Sequence, residues 1–435
     1  MPFPYKKITQ RILPVLFLCY IFAYIDRVNV GFAKLSMREA LWFSDAVFAA
    51  GSGIFFIGYF LFEIPANLIL HRVGARRWIT RIMISWGICS ALCAFSSSSA
   101  QFYFFRFLLG LAEAGFFPGI ILYLTYWYPS AYRARTVALF MMAIAFAGVI
   151  GSPVSGWILE SAQDFSFGKP WQWLFVIEGL PTVLLGIFIP FLLTDRPESA
   201  TWLSDSEKLE IKQAIQTDNQ NKLSASGNEK PTWHALRVPL FWACVLIYFS
   251  FILGLYSISF WMPQIIETRI TNDKILIGWL SAIPWMTAAV AMYLFGKSSD
   301  RTGDRRWHLG LAGITGGISF FLAGIFGQVP ELLILFLSIS TAMVLCTISA
   351  FWSLPSAILS GTAAAAGIAL INSIANLGGY ISPELFAWLK NHYGLSAGLW
   401  AAASGMLTGG LLTIFIWRDA KSLQKQNPLD TETDK

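Results

Sequence analysis

Six ionisable residues stand where ionisable residues are expensive. Asp26, Arg27, Glu63, Arg106, Glu113 and Glu178 fall inside long apolar stretches of a chain that is 56% hydrophobic and only 13% charged. In lipid, each such group at the bilayer centre costs about 2.5–3.5 kcal/mol, so each is a candidate site. Arg106 and Glu113 are seven residues apart, close to two helical turns, and project from nearly one face about 10 Å apart along the axis. Gly110 shares that face and leaves room for another helix or a ligand. Asp26 and Arg27 are neighbours, turned about 100° from one another, so both line one cavity only if its wall is wide. Arg27 and Arg106 present planar forks that suit a carboxylate and keep their charge, whereas Asp26 and Glu113 can gain and lose protons. If each acid pairs with an arginine in the empty protein, an arriving carboxylate competes for the arginine. The stripped acid then takes up a proton more readily, and anion and proton favour each other's binding reciprocally. The competing reading is that the four residues are permanent salt bridges.

Other polar groups are placed to read a solute. Tyr59 lies four residues before Glu63 on one side of a helix, and Asn372 and Asn376 are one turn apart beside Gly378-Gly379. Asn376 fits a solute contact or an interhelical hydrogen bond equally well. Glu63, just before Pro65, either serves the site or bonds to nearby loop arginines. Glu178 lies nearer a surface and reads as structural. Trp352, Trp261 and Trp285 are aromatic candidates among many belt and packing aromatics.

The elements that hold these residues follow from composition. A soluble domain carries roughly twice this charged fraction, so most of the chain meets lipid, and each apolar run of about 20 residues is a helix. Twelve runs are predicted in the 435 residues, at about 12–34, 47–70, 79–98, 101–126, 137–160 and 172–194, then 238–262, 276–296, 309–328, 331–353, 364–388 and 395–417. The fold class is therefore all-α membrane protein, with a six-helix bundle over 1–194, a polar linker over 195–237, a second bundle over 238–417 and a tail over 418–435. In the linker, Ser204-Asp205-Ser206-Glu207 is a capping-box pattern before a short helix ending near Gln216. The first run is too long for a signal peptide, contains Asp26 and Arg27, and has no small-residue cleavage site after it. The net charge of +6 collects in alternate short loops (Arg72, Arg76 and Arg77; Arg133 and Arg135; Lys297, Arg301, Arg305 and Arg306), which puts those loops and both termini in the cytoplasm. No zinc-finger spacing or basic helix points to nucleic acid. The five cysteines lie in apolar runs without C-x-x-C spacing, and the four histidines form no H-E-x-x-H or metal set. These absences argue against an enzyme and against a metal or organic cofactor.

The halves repeat. Asn67-x-x-x-His71-Arg72-Val73-Gly74-Ala75-Arg76-Arg77 follows the second run. Gly296-Lys297-Ser298-Ser299-Asp300-Arg301-Thr302-Gly303-Asp304-Arg305-Arg306 follows the eighth. Two six-helix repeats joined by a polar linker describe a rocker around a midplane site. The second copy matches the loop signature of the major facilitator superfamily at Gly296, Asp300, Gly303, Arg305 and Arg306. The first keeps Gly74, Arg76 and Arg77, but Asn67 and His71 replace its Gly and Asp, which puts the gating contacts of that acid in doubt here.

A narrower resemblance runs over almost the whole chain, through Tyr24-Ile25-Asp26-Arg27-Val28-Asn29, Phe62-Glu63-Ile64-Pro65-Ala66-Asn67, Ala112-Glu113-Ala114-Gly115-Phe116-Phe117-Pro118-Gly119 and Ile371-Asn372-Ser373-Ile374-Ala375-Asn376. These stretches resemble the anion:cation symporter family, which includes transporters of tartrate, sugar acids, phthalate and hydroxyphenylacetate, and the tartrate-type branch most of all. The resemblance implies Arg27 and Arg106 for the anion, Asp26 and Glu113 for the proton, and Tyr59 and Asn372 as substrate contacts. It implies a monomeric, multi-pass protein of the inner membrane, taking up a small carboxylate with protons by alternating access. An anion exchanger or uncoupled facilitator on the same scaffold is the alternative.

Overall fold

The computed structural model describes residues 4–38, 42–225, 239–352, 354–355 and 361–425, with backbone alone at 67, 71, 134, 219, 221–225, 361–366, 369 and 417–425. The side chains of Asn67 and His71, the end of the linker and the last ten residues of the tail thus lie outside the described residues. Among the described residues every regular element is a helix, as lipid demands of backbone N–H groups that find no water. Eleven stretches are long and apolar enough to cross a membrane: Tyr5–Met37, Asp45–Leu70, Ala75–Phe95, Ser99–Thr125, Ser130–Asp164 and Pro170–Leu192, then Pro239–Arg269, Lys274–Thr302, Arg306–Phe326, Pro330–Phe351 and Leu395–Ile416. The remaining crossing is broken at Leu377 into Gly361–Asn376 and Gly378–Tyr393. Numbered in chain order, these are spans 1 to 12, with the broken one as span 11. All begin and end within several residues of the predicted runs.

Two departures matter. Span 4 is also broken: Ser99–Glu113 ends at Ala114, and Phe116–Thr125 restarts after Gly115, whose φ is +81°. Glu113 thus ends a helix segment instead of lying mid-helix. The linker helix runs Asp205–Ala225, well past Gln216. Its start is the anticipated capping box: Ser204 N donates to Glu207 Oε2 at 2.7 Å, and Glu207 N donates to Ser204 Oγ at 3.3 Å. It continues because contacts beyond its own sequence hold it. Past Gln216, Asp218 accepts from Ser130 N and Oγ at 3.2 and 3.0 Å and lies 3.7 Å from Arg133 Nη2, while Lys7 Nζ, 3.0 Å from Glu207, ties the helix's first turn.

The spans pack closely wherever glycine removes the side chain. A Cβ on Gly110 of span 4 would stand 1.9 Å from Phe55 O of span 2, so these two backbones touch. Span 5 meets span 8 in the same way: a Cβ on Gly156 would stand 2.3 Å from Lys274 O, and Gly148 lies against the Trp285 ring. Among the described residues the halves meet most extensively where span 2 packs on span 11, span 5 on span 8, and the end of span 1 on span 7. Outward surfaces carry large apolar side chains such as Leu61, Phe188 and Phe191, a surface suited to lipid tails.

One end of the bundle bears the linker helix and the loops around Gly74 and Gly303. Gly303 has φ +64° and closes span 8, Asp300 is exposed, and Arg306 Nε donates to Ile414 O at 2.8 Å. In the first copy Asp195, at the start of the linker, accepts from Arg76 N at 2.9 Å, beside Gly74. Span 3 therefore has an acidic N-terminal partner, drawn from the linker.

Candidate functional site

Span 1 brings Tyr20, Tyr24 and Arg27 onto one face at i, i+4 and i+7, and this face looks into the centre of the molecule. Arg27 is buried. It ion-pairs with Glu113 at the end of the first segment of span 4, and its Nη1 donates to Tyr256 Oη of span 7 at 2.8 Å. The Phe55 and Tyr59 rings of span 2 stand 5.3 and 5.7 Å from the guanidinium, within cation–π range. Arg27, Tyr20, Tyr24 and Tyr59 line a central cavity from the first half; Tyr248, Tyr256, Asn372 and Asn376 line it from the second. The cavity measures about 30 Å³, on the order of one water's share of the liquid. Across it, Glu63 of span 2 accepts from Asn372 Nδ2 at 2.8 Å and from Ser373 Oγ, so an acid of one half is held by two donors of the other. Asn376 Nδ2 bonds back to Asn372, to its O at 2.9 Å and its Oδ1 at 3.0 Å, and fixes that amide's direction.

The structure separates residues that the sequence grouped. Asp26 does not pair with an arginine. Its carboxylate turns away from the cavity and accepts from Trp86 Nε1 (2.8 Å), Ser90 Oγ (2.7 Å) and Thr182 Oγ1 (2.7 Å) of spans 3 and 6. The 100° step from Arg27 to Asp26 sends the two side chains to different walls. Arg106 is fully buried and is not among the cavity residues. Its Nε donates to Gly51 O and its Nη2 to Arg27 O, both at 3.1 Å. It braces spans 1 and 2 from behind. Glu63 engages Asn372 and Ser373, not loop arginines. Trp352 meets Tyr248 edge-on at 4.9 Å and the tilted ring of Phe117 at 6.3 Å, and so packs behind two residues that line the cavity. Trp285 packs on Tyr24 and Trp261 on Phe386, both outside the cavity lining.

Sequence reasoning also passed over a second charged cluster, at the face opposite the linker. Lys34 is fully buried near the end of span 1. It pairs with Asp45 at 2.7 Å, donates to Gln264 of span 7 at 2.8 Å, and sits 3.8 Å from the centre of the Trp261 ring. Asp45 also binds Lys390 of span 11 at 2.5 Å, and Arg38 pairs with Glu267. These contacts tie the halves together on that face. A lysine buried within Val30–Leu35 was the signal available; the four tyrosines sharing Arg27's helix face or the matching face of span 7 were another. Among the described residues no group of three or more His, Cys, Asp or Glu side chains could hold a metal.

Comparison with known proteins places this arrangement. The model of the Major Facilitator Superfamily matches residues 16–383 and, in an overlapping second match, 268–433. A putative tartrate transporter of Agrobacterium vitis is 44% identical over 95% of this chain and 91% of its own length. The putative metabolite transport protein NicT of Pseudomonas putida is 42% identical over 94% and 93%. A crystal structure of a bacterial homologue of the human lysosomal transporter Spinster, inward-facing and occupied, superposes with a TM-score of 0.73 at 16% identity, covering 96% of this chain and 98% of that one.

Proposed function

The chain belongs to the major facilitator superfamily, a membrane transporter and not an enzyme, and on that premise we propose that it moves a small organic anion of the tartrate class together with protons, by alternating access. The observation that carries this reading is the Arg27–Glu113 pair, a cation and an acid joined at a tyrosine- and amide-lined cavity between the halves. The relatives named as putative tartrate transporters support an anionic solute.

A substrate carboxylate entering the cavity competes with Glu113 for Arg27. The guanidinium keeps its charge, so the displaced Glu113 is the group that takes a proton. Substrate hydroxyls have Tyr59, Tyr256 and Asn372 as partners. Arg106 holds Arg27 in place through its backbone carbonyl and does not itself receive the anion. Asp26 serves coupling from behind, through the helix it shares with Arg27. At about 30 Å³ the cavity is too small for a tartrate-sized solute, so the halves must part for entry. Opening toward the linker breaks the Glu63–Asn372–Ser373 contacts, and opening on the other face breaks the Lys34–Asp45–Lys390 cluster. The linker face is the cytoplasmic one, because the arginine-rich short loops lie there.

Coupling to protons has an energetic reason. The membrane potential is worth about 2.3 kcal/mol per charge per 100 mV, and an anion entering an inside-negative cell moves against it. One proton per carboxylate charge cancels that cost, so tartrate, a dianion at neutral pH, takes two. Purified protein in proteoliposomes, with an imposed pH gradient and no internal substrate, should accumulate tartrate. Glu113→Gln should abolish accumulation while retaining tartrate–tartrate exchange. Wild-type uptake only when tartrate is already inside would identify an exchanger and remove the coupled mechanism.

A further inference from the structure

A second cavity, of about 20 Å³, lies in the seam where spans 1 and 5 meet spans 7 and 8. Most of its wall is apolar, yet Asn29 of the first half and Ser281 of the second both face it. Each is 1% exposed, and neither the Asn29 amide nor the Ser281 hydroxyl has a hydrogen-bond partner among the described residues. Ser155 lines the same cavity and donates to Glu178 Oε1 of span 6 at 2.6 Å. The other carboxyl oxygen, Glu178 Oε2, is buried with no donor in hydrogen-bond geometry; the Asn29 amide approaches this carboxyl closely enough to act on it but does not reach that geometry.

Asp26 gives the contrast. Thr182, which donates to Asp26, is one turn from Glu178 on the same helix. Asp26 has both oxygens met by three donors, as an acceptor-only carboxylate needs. Glu178 has one oxygen met and one bare, and a bare ionised oxygen in a bilayer interior is strongly disfavoured. A proton on Oε2 turns that atom into a donor, and Asn29 Oδ1 needs one. Asp26 is the charged group that faces Glu178; its neighbours from spans 1 and 5, Asn29 and Ser155, are neutral.

We propose that Glu178 holds a proton between Ser155 and Asn29 in this closed state, and that it is a further proton-coupling acid beside Glu113 and Asp26, discharged through the seam cavity when spans 1 and 5 part from spans 7 and 8. Proton residence stands on the local geometry; the coupling role rests on the transport reading above. The cavity has room for about one water, enough for a proton's exit once the seam opens. Ser281, on the opposite wall, makes the cavity's polarity depend on how the halves sit.

Two measurements decide this. In infrared difference spectra of the full chain in lipid nanodiscs, taken between neutral and alkaline pH, wild type should show the C=O stretch of a protonated carboxylic acid. Glu178→Gln should remove it, Asp26→Asn should keep it, and the milder Ser155→Ala should shift its frequency. Absence of the band from wild type, or its persistence in Glu178→Gln, overturns proton residence. In proteoliposomes, Glu178→Gln should lose at least tenfold in pH-gradient-driven tartrate accumulation and keep tartrate exchange; accumulation equal to wild type overturns the coupling role. Wild type that shows the infrared band but no pH-driven accumulation removes the coupling role together with the proton-coupled reading, and leaves the protonated Glu178 standing.

Discussion

Arg27 and Arg106 show how little a residue type says without its partners. Both are buried arginines in the first half, but one faces an acid and a tyrosine across a cavity, and the other is spent on two backbone carbonyls. Their conservative substitutions should therefore fail differently. Arg27→Lys loses the planar fork and should lower tartrate uptake about tenfold or more, equivalent to about 1.4 kcal/mol, with a melting temperature close to wild type. Arg106→Lys should do the reverse. A single ammonium cannot reach both Gly51 O and Arg27 O, and a carbonyl left bare costs about 1–3 kcal/mol. Thermal unfolding should show that loss, and uptake per folded molecule should fall less than in Arg27→Lys.

At the scale of the element, glycine decides how close two helices come, and acidic caps decide where a helix starts. Gly110→Ala would drive a Cβ to 1.9 Å from Phe55 O, a backbone that cannot rotate away. Overpacking of this kind costs about 1–3 kcal/mol or more, so folded yield and thermal stability should drop sharply. Gly303→Ala meets no neighbour and pays only for its positive φ, about 1–2 kcal/mol, with uptake little changed. The linker helix offers a pH test. The Ser204 backbone N–H and then the Lys7 ammonium hold the Glu207 carboxyl below the usual glutamate range. A lowered folded pKa means the contact contributes fully above the free value of about 4.3 and is lost as pH falls through the folded value. Hydrogen exchange at the start of the linker helix should thus stay slow from neutral pH to about pH 5, and Glu207→Gln should exchange faster at neutral pH.

For the whole molecule, the question is which face can open. The halves are tied on the face opposite the linker by Lys34, Asp45, Lys390, Gln264, Arg38 and Glu267. Asp45 sits between two lysines, and Asp45→Asn leaves Lys34 and Lys390 without their shared counter-charge. Breaking a buried pair costs about 3–5 kcal/mol, and partial exposure of Asp45 puts the expectation near the low end. A cysteine placed at Tyr256 should then become reactive to a membrane-impermeant thiol reagent from that face. Unchanged labelling would show that the cluster does not hold that face shut.

The amino-acid sequence determined the class and the parts. Long apolar runs leave lipid as the only compatible solvent, the internal G-x-R-R repeat marks two halves, and Ser204 with Glu207 announces a helix start; all of these are local patterns. Buried ionisable residues marked out a candidate site for the same reason, since charge inside an apolar run is legible one residue at a time. Tertiary structure alone decided what each charge faces. Lys34 and Gln264 are 230 residues apart, and Lys390 and Asp45 are 345 apart, a separation no periodicity reports. The turn that sends Asp26 to Trp86, Ser90 and Thr182, and the backbone carbonyls that engage Arg106, depend on how neighbouring spans are rotated. That rotation is set by packing over many side chains at once, so a single sequence lists the charges and only the assembled bundle pairs them.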